Sequence, residues 1–352
     1  MGKPGSASSP HGFSLLELLV ATTVLIIIMG VIVSLTGQIN RAWAYSSAKV
    51  ESFQDARFAF ETITRAVSGA TLNTYYDYYG INHERRTNAT GFTPSTYGRC
   101  SELEFVTGKN LVTNQVTHAA FFQTPLDYTQ TPNYSHLGGL LNALGFYIKF
   151  DKEDDATRPS FAPAQNHRYR YRLMELHQPT ENLSVYSTNN SHDWFVSPLY
   201  ASSPPVRVLA ENIIACVIWP KLSEETQTNT SFLSSNFEYD SNIANAQPDP
   251  RFLNGDDPTA WPPNKKSQPP NMNQLPPVVR IVLIATDERS MLRLQAASTT
   301  APDLGFDYAK VFQNSSNLDA DLKTVGVALA SKHINYRIFQ TDVAIQGAKW
   351  SP

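Results

Sequence analysis

Gly12-Phe13-Ser14-Leu15-Leu16-Glu17-Leu18-Leu19-Val20 opens the stretch that decides the architecture, and the apolar run continues to Ile39-Asn40. From residue 18 to residue 40 there is no charged side chain. A helix rises about 1.5 Å per residue, so such a run covers roughly the 30 Å of a bilayer core. No other part of the sequence has this character. The exception within the first turns is Glu17. An acid in a membrane span costs on the order of 3 kcal/mol, so its presence asks for a function.

Three readings of this N-terminus compete. A cleaved secretory signal would use Ala42-Trp43-Ala44 as its cleavage site, but an ordinary signal core is only about 7–15 residues long. A plain signal anchor accounts for the span and leaves Glu17 unexplained. The third reading accounts for both. The segment from Gly12 to Val20 resembles the type IV prepilin processing site. The resemblance implies that prepilin peptidase cuts between Gly12 and Phe13, that Phe13 is N-methylated, and that Glu17 is the acid at the fifth mature position. Glycine at residue 12 lets an enzyme approach the backbone closely. Glu17 could pair with the Phe13 amine of a neighbouring subunit, since a buried carboxylate left unpaired is strongly unfavourable. Glu17 at the membrane interface, reaching the headgroups, is the alternative. The only Lys or Arg of residues 1–12 is Lys3, and Arg41 and Lys49 follow the span, so charge asymmetry says little about orientation.

The rest of the composition bounds the function classes. The chain has 352 residues, with 28 Lys and Arg against 31 Asp and Glu, a formal net charge of −3. That balance offers no basic footprint for nucleic acid. Charged residues make up 17% and apolar ones 41%, which excludes a disordered polyelectrolyte. Two cysteines, Cys100 and Cys216, exclude a four-thiolate zinc site. They could form one disulfide or remain buried thiols.

Past the span, Phe53, Ala56, Phe60, Ile63 and Val67 recur at spacings of three or four, with charges between them. No proline occurs from residue 13 to residue 93, and Gly69 offers a stop. The pattern predicts one helix over about 14–67, with a membrane span at about 14–36 and an amphipathic second half that packs on a sheet. The expected organisation is a leader at 1–12, the helix at 13–67 and a globular α+β domain at 68–352. Residues 70–100 read as a loop with a tyrosine cluster at Tyr75, Tyr76, Tyr78 and Tyr79, packed on the domain. Strands are predicted at 102–107, 119–123, 144–150, 169–177, 207–219, 278–287 and 334–345, and short helices at 289–297 and 318–331. Arg168-Tyr169-Arg170-Tyr171-Arg172 places three arginines on one strand face, expected to be solvated. Residues 220–277 read as a Pro- and Asn-rich loop.

No catalytic pattern emerges. The eight histidines include no pair at metal-ligand spacing, and there is no H-E-x-x-H, G-x-S-x-G or P-loop. The acidic cluster Asp151, Glu153, Asp154 and Asp155 lacks the calcium-loop order. Asn254-Gly255-Asp256-Asp257 could hold calcium through oxygen ligands, and no other cofactor is expected. The chain is not expected to be an enzyme.

Downstream blocks are similar to the J-type minor pseudopilin of type II secretion. They are Tyr171-Arg172-Leu173, Leu209-Ala210-Glu211-Asn212-Ile213 and Leu275-Pro276-Pro277-Val278-Val279. Ile334-Asn335-Tyr336-Arg337-Ile338-Phe339 and the ending Ala348-Lys349-Trp350-Ser351 look like the Verru_Chthon cassette protein C family, a prepilin-like group. The resemblance implies a long membrane helix under a largely antiparallel, two-sheet head. It also implies a single-pass bacterial inner-membrane protein with a periplasmic domain, assembled at or near the tip of a pseudopilus or pilus-like filament. Its implied partners are prepilin peptidase, other pseudopilins and secreted protein cargo. The alternative is an anchored periplasmic binding domain for carbohydrate or peptide that enters no filament. Tyr75–Tyr79 or the proline-rich loop would then carry recognition.

Overall fold

The computed structural model describes residues 15–81, 86, 91–153, 168–186, 192–221, 237–242, 268, 272–295 and 299–349. The chain divides into two compact units, residues 1–51 and 52–352.

In the first unit lies most of helix α1, which runs Leu15–Ser68. Its uncharged stretch Leu18–Asn40 is long and apolar enough to cross a membrane, and none of it is buried within the protein. The three threonine hydroxyls there are satisfied along the helix itself. Thr22, Thr23 and Thr36 donate to the carbonyls of Leu19, Val20 and Ile32 at 2.8–3.0 Å. A hydroxyl that bonds back to the preceding turn needs no water, which suits a span in lipid.

In the second unit the last turns of α1 are amphipathic as the spacing requires. Phe53, Ala56, Ala59, Ile63, Ala66 and Val67 are buried in the main core. The helix stops at Gly69, and the backbone is then tied down: Thr71 N donates to Gln123 O and Gln346 N to Ser68 O.

Eleven strands follow among the described residues: β1 (Tyr75–Tyr79), β2 (Thr96–Cys100), β3 (Val106–Gly108), β4 (Ala119–Pro125), β5 (Leu141–Lys152), β6 (Tyr169–Gln178), β7 (Val206–Glu211), β8 (Ile213–Lys221), β9 (Tyr239–Asp240), β10 (Val278–Thr286) and β11 (Tyr336–Ala344). Helices α2 (Asp193–Leu199), α3 (Glu288–Gln295) and α4 (Leu318–Ser331) complete the unit. The strands form a six-stranded sheet, β7-β6-β5-β4-β3-β9, a three-stranded sheet, β11-β10-β8, and the ribbon β1-β2. Every pairing among them is antiparallel. The α+β class agrees with the expectation, but the described residues build three sheets where two were expected.

The six-stranded sheet is covered on both faces. Ala120, Phe122, Leu144, Phe146 and Ile148 join the core that holds α1, β8, β10 and α4. Their alternates Ala119, Phe121, Ala143 and Tyr147 join a second cluster with Trp194 and Phe195 of α2. Alternation to opposite faces explains why β4 and β5 read as almost continuous apolar runs.

Four expectations need correction. The loop at 70–100 contains the ribbon β1-β2, because Tyr-rich sequence suits a half-exposed pleat. Tyr75, Tyr76 and Tyr78 are exposed, and only Tyr79 of that cluster is buried. The single strand expected at 207–219 is two strands in two different sheets. They part at Asn212, which holds φ at +59°, a left-handed conformation that asparagine tolerates. Finally, the arginine face is solvated at Arg168, which is exposed, but Arg170 and Arg172 are buried. Arg170 meets Glu288 of α3 through two bonds, at 3.0 and 2.5 Å. Arg172 meets Glu211 and the Lys152 carbonyl.

Candidate functional site

Gly12 and Phe13 lie outside the described residues, as does the side chain of Glu17, whose backbone belongs to the first turns of α1. Asn254-Gly255-Asp256-Asp257 and most of the Pro- and Asn-rich loop also lie outside them. Within that loop, Tyr239 and Asp240 form β9 against β3. Cys100 and Cys216 are free, buried thiols in separate apolar clusters, so the structure does not join them. Burial pushes the Cys216 thiol up to about 12, which makes it an unreactive core residue. Asp151 pairs with Lys149 at 2.5 Å.

The converging chemistry sits elsewhere, at Glu104, His192 and Asp240. One ligand-type atom from each lies within 4.8 Å of the other two. Each residue arrives by a different route. Glu104 precedes β3 by two residues and is anchored by its N–H, which donates to Gln123 Oε1 at 2.9 Å. Asp240 is carried opposite Val106 by the β3–β9 pairing. That pairing is reinforced by Ser241, whose hydroxyl accepts from Phe105 N and whose N–H donates to Phe105 O. His192 stands at the N-cap of α2 and makes no side-chain cap bond there. Its carbonyl accepts from Phe195 and Val196, and its ring packs 5.3 Å from the Phe195 ring.

His192 Nε2 lies 3.7 Å from Glu104 Oε1 and 3.5 Å from Asp240 Oδ2. These are beyond hydrogen-bond length, and Glu104 Oε1 and His192 Nε2 are both buried atoms without a hydrogen-bond partner among the described residues. The Glu104 side chain is 1% exposed. Its other oxygen accepts from Trp194 Nε1 at 2.5 Å, and Trp194 is itself buried. Burial above all, then the neighbouring Asp240 carboxylate, pushes the Glu104 acid well above the usual carboxylate range, against the Trp194 bond. Two carboxylates and an imidazole around orphaned atoms can share a proton or hold a cation. None of the three was singled out by sequence spacing. They are 48 or more residues apart in the chain, and the only advance signal is that Glu104 falls in a predicted strand among buried apolar residues.

Apart from this cluster, Tyr76, Tyr78 and Tyr97 form an exposed aromatic group on the ribbon. Tyr76 stacks near Tyr97 with centroids 6.3 Å apart, and Tyr78 meets Tyr97 edge-on at 4.7 Å. The chain matches no protein-family model, no curated protein and no solved structure.

Proposed function

We propose that this chain is a minor pilin-like subunit, matured between Gly12 and Phe13 by a prepilin peptidase and assembled through the N-terminal helix. The observation that carries the reading is the double character of α1. Its residues 18–40 are apolar on every side and unburied, while Phe53, Ala56, Ile63 and Val67 of the same helix belong to the core of the β-rich unit. An unburied apolar helix needs lipid or other helices around it. The processing-site pattern and Glu17 favour helices of neighbouring subunits. On this reading the chain is a structural component of a type II secretion or pilus-like filament, anchored in a bacterial inner membrane with its β-rich unit in the periplasm. A tip position follows from the large head, and secreted protein is the cargo such a tip would meet.

The test is the intact mass and N-terminal peptide of the protein from native membranes. A chain that starts at N-methyl-Phe13 supports the reading. A start at Tyr45 would mean an ordinary secreted domain. Glu17→Ala should insert in the membrane normally and fail to enter filaments, and normal incorporation would refute the role given to Glu17.

The exposed tyrosines Tyr76, Tyr78 and Tyr97 favour a second reading, an anchored binding domain for carbohydrate or peptide. Crosslinking from a position near Glu17 separates the two: helix-to-helix adducts support the filament, and their absence supports the anchored monomer.

A further inference from the structure

We infer that Glu104, His192 and Asp240 form a binding site for a divalent transition-metal cation of the zinc type. The first argument is geometry. Ligands about 2.0–2.1 Å from a tetrahedral zinc stand roughly 3.4 Å apart. The imidazole Nε2 lies 3.5 and 3.7 Å from the two carboxylate oxygens. Such separations fit the edges of a coordination polyhedron and are too long for hydrogen bonds.

The second argument is unsatisfied polarity. Glu104 Oε1 and His192 Nε2 are buried and have no hydrogen-bond partner among the described residues, and they stand 3.7 Å apart. A buried carboxylate without a partner is costly, and so is a second carboxylate beside it. A dication placed between them cancels both negative charges and gives each orphaned atom a bond. The third argument is support. Trp194 Nε1 holds the outer oxygen of Glu104, and Asn242 N donates to the outer oxygen of Asp240 at 2.7 Å. Outer hydrogen bonds of this kind orient ligating carboxylates.

The donor set selects the metal class. One imidazole nitrogen with two carboxylate oxygens suits zinc or manganese, whereas calcium and magnesium prefer sites made wholly of oxygen. Three protein ligands leave a position for water. The role follows from the placement: β9 pairs with β3 at only Val106–Asp240 and Thr107–Tyr239, and α2 is seven residues long. A bound cation would clip both to the segment ahead of β3.

The experiment uses the full-length protein in detergent, stripped with chelator and dialysed against zinc chloride, with metal content read by mass spectrometry. One zinc per chain is expected. At a hundredfold excess over Kd the melting midpoint should rise by roughly 5 °C or more. His192→Ala and Asp240→Asn, each first shown to melt cooperatively without metal, should weaken zinc binding by more than the 10–100-fold typical of outer-shell changes. Cobalt substituted for zinc should give visible absorption bands that both variants lose. Absence of stoichiometric zinc in the unmodified chain would overturn the inference. So would zinc retained at full affinity in both variants, because the ion would then sit elsewhere. A protein that binds zinc yet starts at Tyr45 would keep this site while removing the filament reading.

Discussion

Trp194 Nε1 donates to Glu104 Oε2 at 2.5 Å and so joins α2 to the segment ahead of β3 across 90 residues of sequence. Both side chains are buried. Among the described residues the indole supplies the one donor within hydrogen-bonding geometry of this acid's outer oxygen, so the two should be energetically coupled. Trp194→Phe keeps an aromatic ring and removes the donor. It should destabilise the metal-free protein by about 1–3 kcal/mol beyond any packing loss, the cost of an orphaned buried acceptor. A double-mutant cycle with Glu104→Leu, followed by denaturant unfolding, checks this: the double variant should be less destabilised than the sum of the singles. Strict additivity would mean that the bond contributes nothing.

Arg170 is buried on β6, and Glu288 of α3 receives two of its N–H groups. Asn212 also donates to Glu288, at 2.7 Å. Partial burial pushes the Glu288 acid up, but the bonds from Arg170 and Asn212 outweigh it and hold the group below its usual range. A depressed folded value means stability that is present above the unfolded value and lost as pH falls through the folded one. Glu288→Ala should cost about 2–4 kcal/mol, because it leaves a buried guanidinium without its carboxylate. Arg170→Met combined with Glu288→Ala should recover part of that loss, as measured by urea unfolding near neutral pH.

Gly145 on β5 lies directly opposite Phe121 on β4. A Cβ at residue 145 would stand 2.2 Å from Phe121 Cδ1. The ring cannot retreat freely, since it also stacks on Phe195 with centroids 4.1 Å apart. Gly145→Ala should therefore lower stability by about 1–3 kcal/mol through overpacking, despite alanine's better strand entropy. Adding Phe121→Leu to that variant should relieve some of the strain. A neutral or stabilising Gly145→Ala in thermal melts would show that the ring is not locked.

His118 is fully buried, packs 4.9 Å from the Phe237 ring, and neither ring nitrogen has a hydrogen-bond partner among the described residues. Burial, with a smaller contribution from the Lys109 charge, lowers its ionisation to about 3. The unfolded chain takes up this proton at roughly pH 6.5. Between these values the unfolded state binds a proton that the folded state refuses. Stability is therefore intact above about pH 6.5 and falls as pH drops toward 3. His118→Leu should flatten that part of the pH–stability curve. An unchanged slope in the variant would assign the acid loss to other groups.

Much of the fold was legible because it rests on local patterns. The uncharged run at 18–40, the three- and four-residue spacing from Phe53 to Val67 and the absence of proline from residue 13 to residue 93 anticipate the helix observed at Leu15–Ser68. The helix expected at 318–331 is found at Leu318–Ser331. Strands are legible in the sequence only with shifted ends, because alternation marks a strand's middle and hydrogen bonding to neighbours decides where it stops. The corner at Asn212 was not legible. Val206–Glu211 and Ile213–Lys221 form one continuous β-prone stretch, and only the left-handed backbone at Asn212 sends them to different sheets.

The sequence by itself determined a long N-terminal helix with a membrane-length apolar stretch, an amphipathic continuation and a β-rich remainder. These follow from the periods at which side chains repeat along helices and strands, a property of neighbouring residues. The tertiary structure alone decided what the polar residues do. It buried Arg170 and Arg172 of β6 and gave each a carboxylate, Glu288 of α3 for the first and Glu211 of β7 for the second. It also brought Glu104, His192 and Asp240 within 4.8 Å of one another. Their meeting depends on a sheet pairing, β3 with β9, and on where α2 begins. No spacing in the chain encodes either, because both are settled by which surfaces exclude water together.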